Sequence, residues 1–308
     1  MTAHDTCPPG MAPPTDVIFH GGCPDGMTAA WLIWDEYPDV RLWPWQYQER
    51  APSDVDLLGM SHVVITDFSF DADTTHRIAR QVSRLTVLDH HASAIDDLGA
   101  SRQFDGLGHV QIVLDHTRSG ARITWDWLHG HTTPPPLVAY VEDRDLWRHT
   151  LPATEAIAAL VSATPYTLEA WDHLARDVAH RFGTCVAAGS AVLGLRRKLI
   201  DEQKACARIM DIAGIDVPAA PAPYPIGSDL AGELAETSPH LVGGYYIDRP
   251  DCRQFGLRAA AGGPPVHLIA AQYVYQGRPG GGHPTAAGFR VPWGHPLAPH
   301  SLATGGQL

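Results

Sequence analysis

LTVLDHHAS (residues 85–93) begins as a strand and ends as chemistry. Leu85, Thr86, Val87 and Leu88 form a short apolar, partly β-branched run of the kind that makes a buried strand. An acid and two adjacent histidines follow at once: Asp89, His90 and His91. Two earlier apolar runs end in a related way. DVIFH (16–20) closes on His20, and HVVITDFSF (62–70) carries Asp67 beyond its aliphatic centre. In a parallel sheet the carboxyl ends of adjacent strands open into one crevice, where such folds bind ligands. Residues able to hold a metal therefore recur three times at one expected edge.

The segments between these runs support that sheet. GMTAAWLIWDEYP (26–38) reads as a helix stopped by Pro38, and DADTTHRIARQVS (71–83) as a helix with Asp71 as its N-cap. HVQIVLD (109–115) adds a strand and SGARITWDWLHG (119–130) a helix. Strands alternating with helices give a parallel sheet joined by right-handed crossovers. PPPLVAYVEDRDLW (134–147) is a proline stop followed by helix or loop. From about 153 to 212 the pattern is helical, and AVLGLRRKLIDEQKACARIMDI (191–212) suits a connector. PAAPAPYP (218–225) reads as a loop. A second α/β pattern follows, with a helix at 228–236 that Ser228 could cap and strands at 241–248 and 252–260. Residues 266–274 fit helix or strand, and GRPGGGHPTAAGFRVP (277–292) is a glycine turn leading into an apolar segment.

Bulk properties bound the function. The chain has 308 residues, 44% of them hydrophobic, enough for a sizeable core and two domains. Its formal charge of −12 argues against a long duplex-DNA track, which needs a basic surface. Five scattered cysteines (Cys7, Cys23, Cys185, Cys206, Cys252) form no CxxC pair or disulfide framework, in keeping with a reducing compartment. The first residues lack a basic stretch followed by an apolar one, and no apolar run approaches the ~18 residues of a membrane span. A soluble cytoplasmic protein, monomer or homodimer, with no membrane partner is the expectation.

Imidazole and carboxylate together suit Mn²⁺, Fe²⁺ or Zn²⁺. Converging carboxylates repel strongly in a low dielectric unless cations lie among them. A pair of cations ~3.5–4 Å apart can activate water and clamp both oxygens of an in-line phosphoryl displacement. Taken singly, Asp67 reads as a turn residue and His20 as an ordinary hydrogen-bonded histidine. Taken together with Asp89-His90-His91, they point to hydrolysis at phosphorus.

Five pieces in order, FHGGCPDGMTAAW, VVITDFSF, VLDHHAS, VEDRDLW and GGGHPTAAGF, span residues 16–292, and with them the chain resembles the DHH phosphoesterase superfamily, in particular its oligoribonuclease-like members with a glycine-rich associated domain. The resemblance implies a parallel-sheet metal-binding catalytic domain (16–185), a helical connector (186–212) and a smaller α/β substrate-binding domain (213–295) facing it across a cleft. Residues 1–15 and 296–308 would be flexible tails. It implies two divalent ions, Mn²⁺ first, held by His20, Asp25, Asp67, His90 and Asp143, with Asp145 the alternative to Asp143. Asp67 would lie between the metals, Asp89 would be a ligand or support, and His91 would contact the reacting phosphate. Where family members carry Asp-x-Asp, this chain has Cys23-Pro24-Asp25. A thiolate is softer than a carboxylate, so Cys23 either ligates Fe²⁺ or Zn²⁺, leaves one position weak, or simply packs.

Successive glycines permit unusual φ and close backbone approach, so Gly281 and Gly282 could form an anion nest beside His283. Arg258 matches a family arginine that contacts substrate phosphate, a task suited to its forked guanidinium. The implied activity is phosphodiester hydrolysis of short oligonucleotides or linear dinucleotides to nucleoside monophosphates. Pyrophosphatase or exopolyphosphatase activity, cyclic-dinucleotide cleavage and a non-catalytic nucleotide sensor are the alternatives.

Overall fold

A computed structural model of the chain describes residues 12–46, 49–54 and 56–299. The expected tails fall mostly outside these residues. The chain divides into two compact units between Leu193 and Gly194.

In the first unit, β1 (Asp16–His20) leads into α1 (Pro24–Glu36), then β2 (Arg41–Trp45), β3 (His62–Thr66), α2 (Ala72–Ala79), β4 (Arg84–Asp89) and α3 (Ala92–Asp97). After these come β5 (Val110–Leu114), α4 (Gly120–His129), α5 (Pro136–Asp145), α6 (Thr154–Ala163), α7 (Leu168–His180) and α8 (Phe182–Lys204), within which the division falls. The five strands pair in the order β2-β1-β3-β4-β5, every pairing parallel. Chain order reverses at β1, so the crevice beside β1 and β3 is the topological switch point.

Alternate residues feed two cores, one on each face of this sheet. Val17, Phe19, Val64 and Leu88 join the core that holds Trp31, Trp127 and Trp171. Ile18, Val63, Ile65, Leu85 and Val87 join the other, with Phe68, Phe70 and Ile78. Both faces being covered explains why β3 is buried throughout, as expected of a parallel sheet between helices. β2, RLWPW, is not among the strands read from the sequence, and its Pro44 lacks an amide donor. It lies at the sheet edge, where a proline is tolerated.

The second unit contains β6 (Arg208–Ile212), β7 (Ile215–Pro221), α9 (Tyr224–Thr237), β8 (Val242–Asp248), β9 (Cys252–Ala259) and α10 (Val266–Ala270). β10 (Val274–Tyr275), β11 (Arg278–Pro279), β12 (Gly281–Gly282) and β13 (Ala286–Pro292) complete it. Six strands pair in the order β12-β13-β9-β8-β7-β6; only β7 and β8 run parallel. Leu230, Ala231 and Leu234 of α9 pack with Ala220 and Tyr245, while Phe255, Leu257 and Phe289 build a separate core.

Three expectations need correction here. The helical reading of 191–212 runs past the true end of α8 at Lys204 and hides β6. The loop reading of 218–225 overlooks β7, which accommodates Pro218 opposite Ile209. α9 begins at Tyr224 after Pro223, so Ser228 lies inside the helix and is not its cap. Among the described residues no single helix is long and apolar enough to cross a membrane.

Candidate metal centre

Strand register builds the site. Phe19 of β1 pairs with Thr66 of β3, and Thr66 pairs with Leu88 of β4. The next residue on each strand, His20, Asp67 and Asp89, therefore stands in one row at the carboxyl edge. β3 stops at Thr66, four residues before the expected end, because Asp67 adopts φ 52°, a left-handed conformation uncommon for a non-glycine residue. Its amide is anchored to the Leu88 carbonyl at 2.9 Å. Two glycines make room for it. A Cβ on Gly120 would stand 2.5 Å from Asp67 Cβ, and one on Gly26 would stand 2.4 Å from the His20 carbonyl oxygen. Strained backbone held by close packing is a feature of functional sites.

Asp67 is 1% exposed and its two oxygens look in different directions. Oδ1 lies 3.1 Å from His90 Nε2, which is also 3.6 Å from Asp145 Oδ2 and 3.9 Å from Asp25 Oδ2. Oδ2 lies 3.5 Å from His20 Nδ1 and, among the described residues, accepts no hydrogen bond. Donor atoms of His20, Cys23 and Asp67 fall within 4.8 Å of one another, as do those of Asp25, His90 and Asp145. The sequence-derived set of His20, Asp25, Asp67 and His90, with Cys23, is thus brought together.

Asp143 is not. Its carboxylate accepts from the Thr150 amide (2.9 Å) and hydroxyl (2.7 Å), the Leu151 amide (3.2 Å) and the Thr154 hydroxyl (2.5 Å). It pins the turn between α5 and α6, while Asp145, the alternative, brings its Oδ2 to 3.6 Å from His90 Nε2. Residues i and i+2 on a helix point to different sides, so only one of the pair can reach the sheet edge.

Asp89 is fully buried and acts through its neighbours. Oδ2 accepts from Ser69 Oγ at 2.5 Å, while Oδ1 accepts from the amides of His90 and His91 and lies 2.7 Å from His91 Nδ1. Ser69 escaped the sequence reading, although it is two residues from Asp67. Gly26 and Gly120 escaped it too, since one glycine beside a helix start carries little signal. Asp25 accepts from the amides of Gly120 (2.6 Å) and Ala121 (3.1 Å) at the start of α4, where the helix end favours an anion.

The electrostatics are frustrated. Burial, then Asp67 and Asp145, push the Asp25 carboxyl well above its ordinary range. Desolvation and Asp67 raise Asp145 as well. Burial works against charge on Asp67, but His20 and His90 outweigh it and hold its carboxyl well below the usual range. His91 is likewise opposed by burial, yet the Asp89 bond and the surrounding acids raise it to about 9. Burial and the fields of Asp67 and Asp25 push the Cys23 thiol up. Acids that repel one another, a buried oxygen lacking a donor and convergent imidazoles make a donor set fitted to divalent cations.

The second unit shows a different state. Arg258 Nε donates to Ser228 Oγ at 3.0 Å and Nη1 to the Leu257 carbonyl at 2.8 Å. Gly281 and Gly282 form the edge strand β12 rather than an open turn. The flanking amides are committed, Gly280 to the Tyr273 carbonyl and His283 to that of Ala286, so a nest spanning all four is not formed. Gly282 has φ 141°, and a Cβ there would meet the Ala286 oxygen at 2.4 Å, which explains the glycine. His283 is exposed.

Comparison with solved structures places this architecture. A pGpG-specific phosphodiesterase, PggH, from Vibrio cholerae superposes with a TM-score of 0.50 at 12% identity, covering 90% of this chain and 93% of that one. An exopolyphosphatase-related protein from Bacteroides fragilis gives 0.50 at 11% identity, covering 89% and 85%. The fold is that of the DHH phosphoesterases. Asp89 ends β4, and with His90 and His91 just beyond it belongs to a cluster of side chains that could hold a metal ion. No protein-family model matches the chain. An uncharacterized protein, R106, of Acanthamoeba polyphaga mimivirus is 23% identical over 169 residues, 51% of this chain; the match spans 39% of that relative's length.

Proposed function

We propose that the chain is a metal-dependent phosphodiesterase that hydrolyses short oligonucleotides or linear dinucleotides to nucleoside monophosphates. The observation that carries this reading is the row of His20, Asp67 and Asp89 at the carboxyl edge, with Asp25, His90 and Asp145 converging on it. Two divalent ions, Mn²⁺ first, would be held by His20, Asp25, Asp67, His90 and Asp145. When bound, such a pair lowers the pKa of water and neutralises phosphoryl charge.

The chain's own residues divide the remaining work. Asp67 turns one oxygen to each donor set and is suited to bridging them. Asp89 fixes the orientation of His91 through a 2.7 Å contact to Nδ1, and that carboxylate favours the protonated ring. His91 is thereby suited to donate a charge-assisted hydrogen bond to a phosphoryl oxygen. Within the second unit, Arg258, held by Ser228 and the Leu257 carbonyl, and exposed His283 are the residues suited to hold a phosphate. A charge of −12 disfavours long polyanions, which supports a short substrate.

A linear dinucleotide is the first substrate to try, since the similar Vibrio cholerae protein is a pGpG-specific phosphodiesterase. The test is product chromatography with Mn²⁺ on pGpG, di- to pentanucleotides, a cyclic dinucleotide, pyrophosphate and polyphosphate. Conversion of linear dinucleotides to monophosphates is the expected result. Turnover of polyphosphate or pyrophosphate alone would replace it with an exopolyphosphatase or pyrophosphatase activity. Nucleotide binding without any turnover would leave a sensor.

A further inference from the structure

Resting on the two-metal reading above, we propose that the two positions of the centre are chemically unlike. The His20–Cys23–Asp67 position takes Zn²⁺ or Fe²⁺ through a thiolate bond, and the Asp25–His90–Asp145 position takes Mn²⁺ or Mg²⁺. Asp67, with one oxygen toward His20 and the other toward His90, would serve both positions.

Donor chemistry separates the two. One set offers sulfur, nitrogen and oxygen; the other offers two carboxylates and an imidazole, and each converges within 4.8 Å. Thiolate ligands select soft or borderline ions, whereas carboxylate oxygens suit Mg²⁺ and Mn²⁺. Geometry agrees. Bonds of about 2.0–2.3 Å in a tetrahedral site place neighbouring donors about 3.5 Å apart. His20 Nδ1 and Asp67 Oδ2 are 3.5 Å apart. That Oδ2 is buried and, among the described residues, accepts no hydrogen bond, so an acceptor is aimed into this position.

Cys23 also differs from the other described cysteines. Cys185 and Cys252 are buried, at 4% and 1% exposure, within the packed interior, and Cys206 is exposed. Among the described residues Cys23 is the cysteine whose sulfur converges with ligand-type side chains. Backbone geometry keeps it there. Its carbonyl accepts from the Met27 amide at 3.0 Å at the start of α1, and Gly26 allows that helix end to close on His20 and Asp67. A residue that merely filled space would not need its sulfur among an imidazole and a carboxylate.

The test strips the full-length protein with chelator and reloads it with Co²⁺, or with equimolar Zn²⁺ and Mn²⁺. Cobalt should give a near-ultraviolet thiolate-to-metal charge-transfer band that disappears in Cys23→Ser. Elemental analysis after the mixed loading should find one zinc and one manganese per chain. Cys23→Asp, which supplies a carboxylate at the same place, should still bind two ions, without the band and with zinc replaced by manganese. Two ions per wild-type chain with no thiolate band, or identical metal content in Cys23→Asp, would overturn this inference and leave the two-metal phosphoesterase standing. No bound ion under any loading would remove both.

Discussion

At the amino edge of the first sheet, Asp16 is completely buried and fully bonded. Arg41 Nε and Trp43 Nε1 each stand 2.9 Å from Oδ1, while Arg41 Nη2 (2.9 Å) and the Thr15 hydroxyl (2.7 Å) donate to Oδ2. At the carboxyl edge, Asp67 is equally buried, but its neighbours are histidines, a cysteine and other acids. One edge satisfies its carboxylate with a guanidinium, an indole and a hydroxyl. The other gathers carboxylates faster than it gathers cations. Burial is the same in both places, so burial does not mark the site. What distinguishes the carboxyl edge is acid that, among the described residues, is left short of donors, a shortfall that a bound cation would relieve.

The largest effect expected from this contrast is on turnover. Asp67→Asn should lower kcat by about a thousandfold or more, since it removes the carboxylate shared by both donor sets. Undiminished hydrolysis of a dinucleotide would break the contrast outright. Next comes the pair at the end of α5. Asp145→Asn should cut metal affinity about 10–100-fold and leave the melting temperature near wild type. Asp143→Asn should do the reverse, costing about 2 kcal/mol of stability while metal binding persists. Calorimetric metal titration beside thermal melts separates the two, and metal loss in Asp143→Asn would restore the original assignment.

A smaller effect belongs to the amino edge. Asp16→Asn should cost about 1–3 kcal/mol, because it leaves Arg41 without its partner, with metal content unchanged. Arg41 is half-exposed, which keeps the cost at the low end of buried pairs. The smallest effect concerns His62, at the start of β3. Burial first, and the Arg84 charge after it, hold its pKa below the ordinary value despite its bond to the Ala12 carbonyl at 2.9 Å. The fold therefore prefers the neutral ring. That contribution is present above the unfolded pKa of about 6.5 and is lost as pH falls through it toward the folded value. Melts between neutral and mildly acidic pH should show a drop that flattens in His62→Gln; parallel profiles would contradict this.

Much of the site was legible because strand ends announce themselves. Apolar runs closing on His20, Asp67 and Asp89-His90-His91 are enough to set those residues at one sheet edge. The choice between Asp143 and Asp145 was not legible, since it depends on which side of α5 faces the sheet and where the following turn finds its donors. β2 and β7 were hidden by prolines that tertiary pairing accommodates, and β6 by continuity with the helical pattern of α8. Ser69 matters through a hydrogen bond to Asp89, and Gly26 and Gly120 through approaches that a Cβ would close to 2.4–2.5 Å, contacts that no sequence pattern records.

The most direct test is the stoichiometry of divalent ions bound by the purified chain, measured by elemental analysis after dialysis against Mn²⁺ and Zn²⁺. Two ions per wild-type chain are expected, with that number falling in Asp67→Asn and unaffected in Asp16→Asn. A wild-type chain that holds none, or an Asp67→Asn chain that holds as many as wild type, would contradict that expectation.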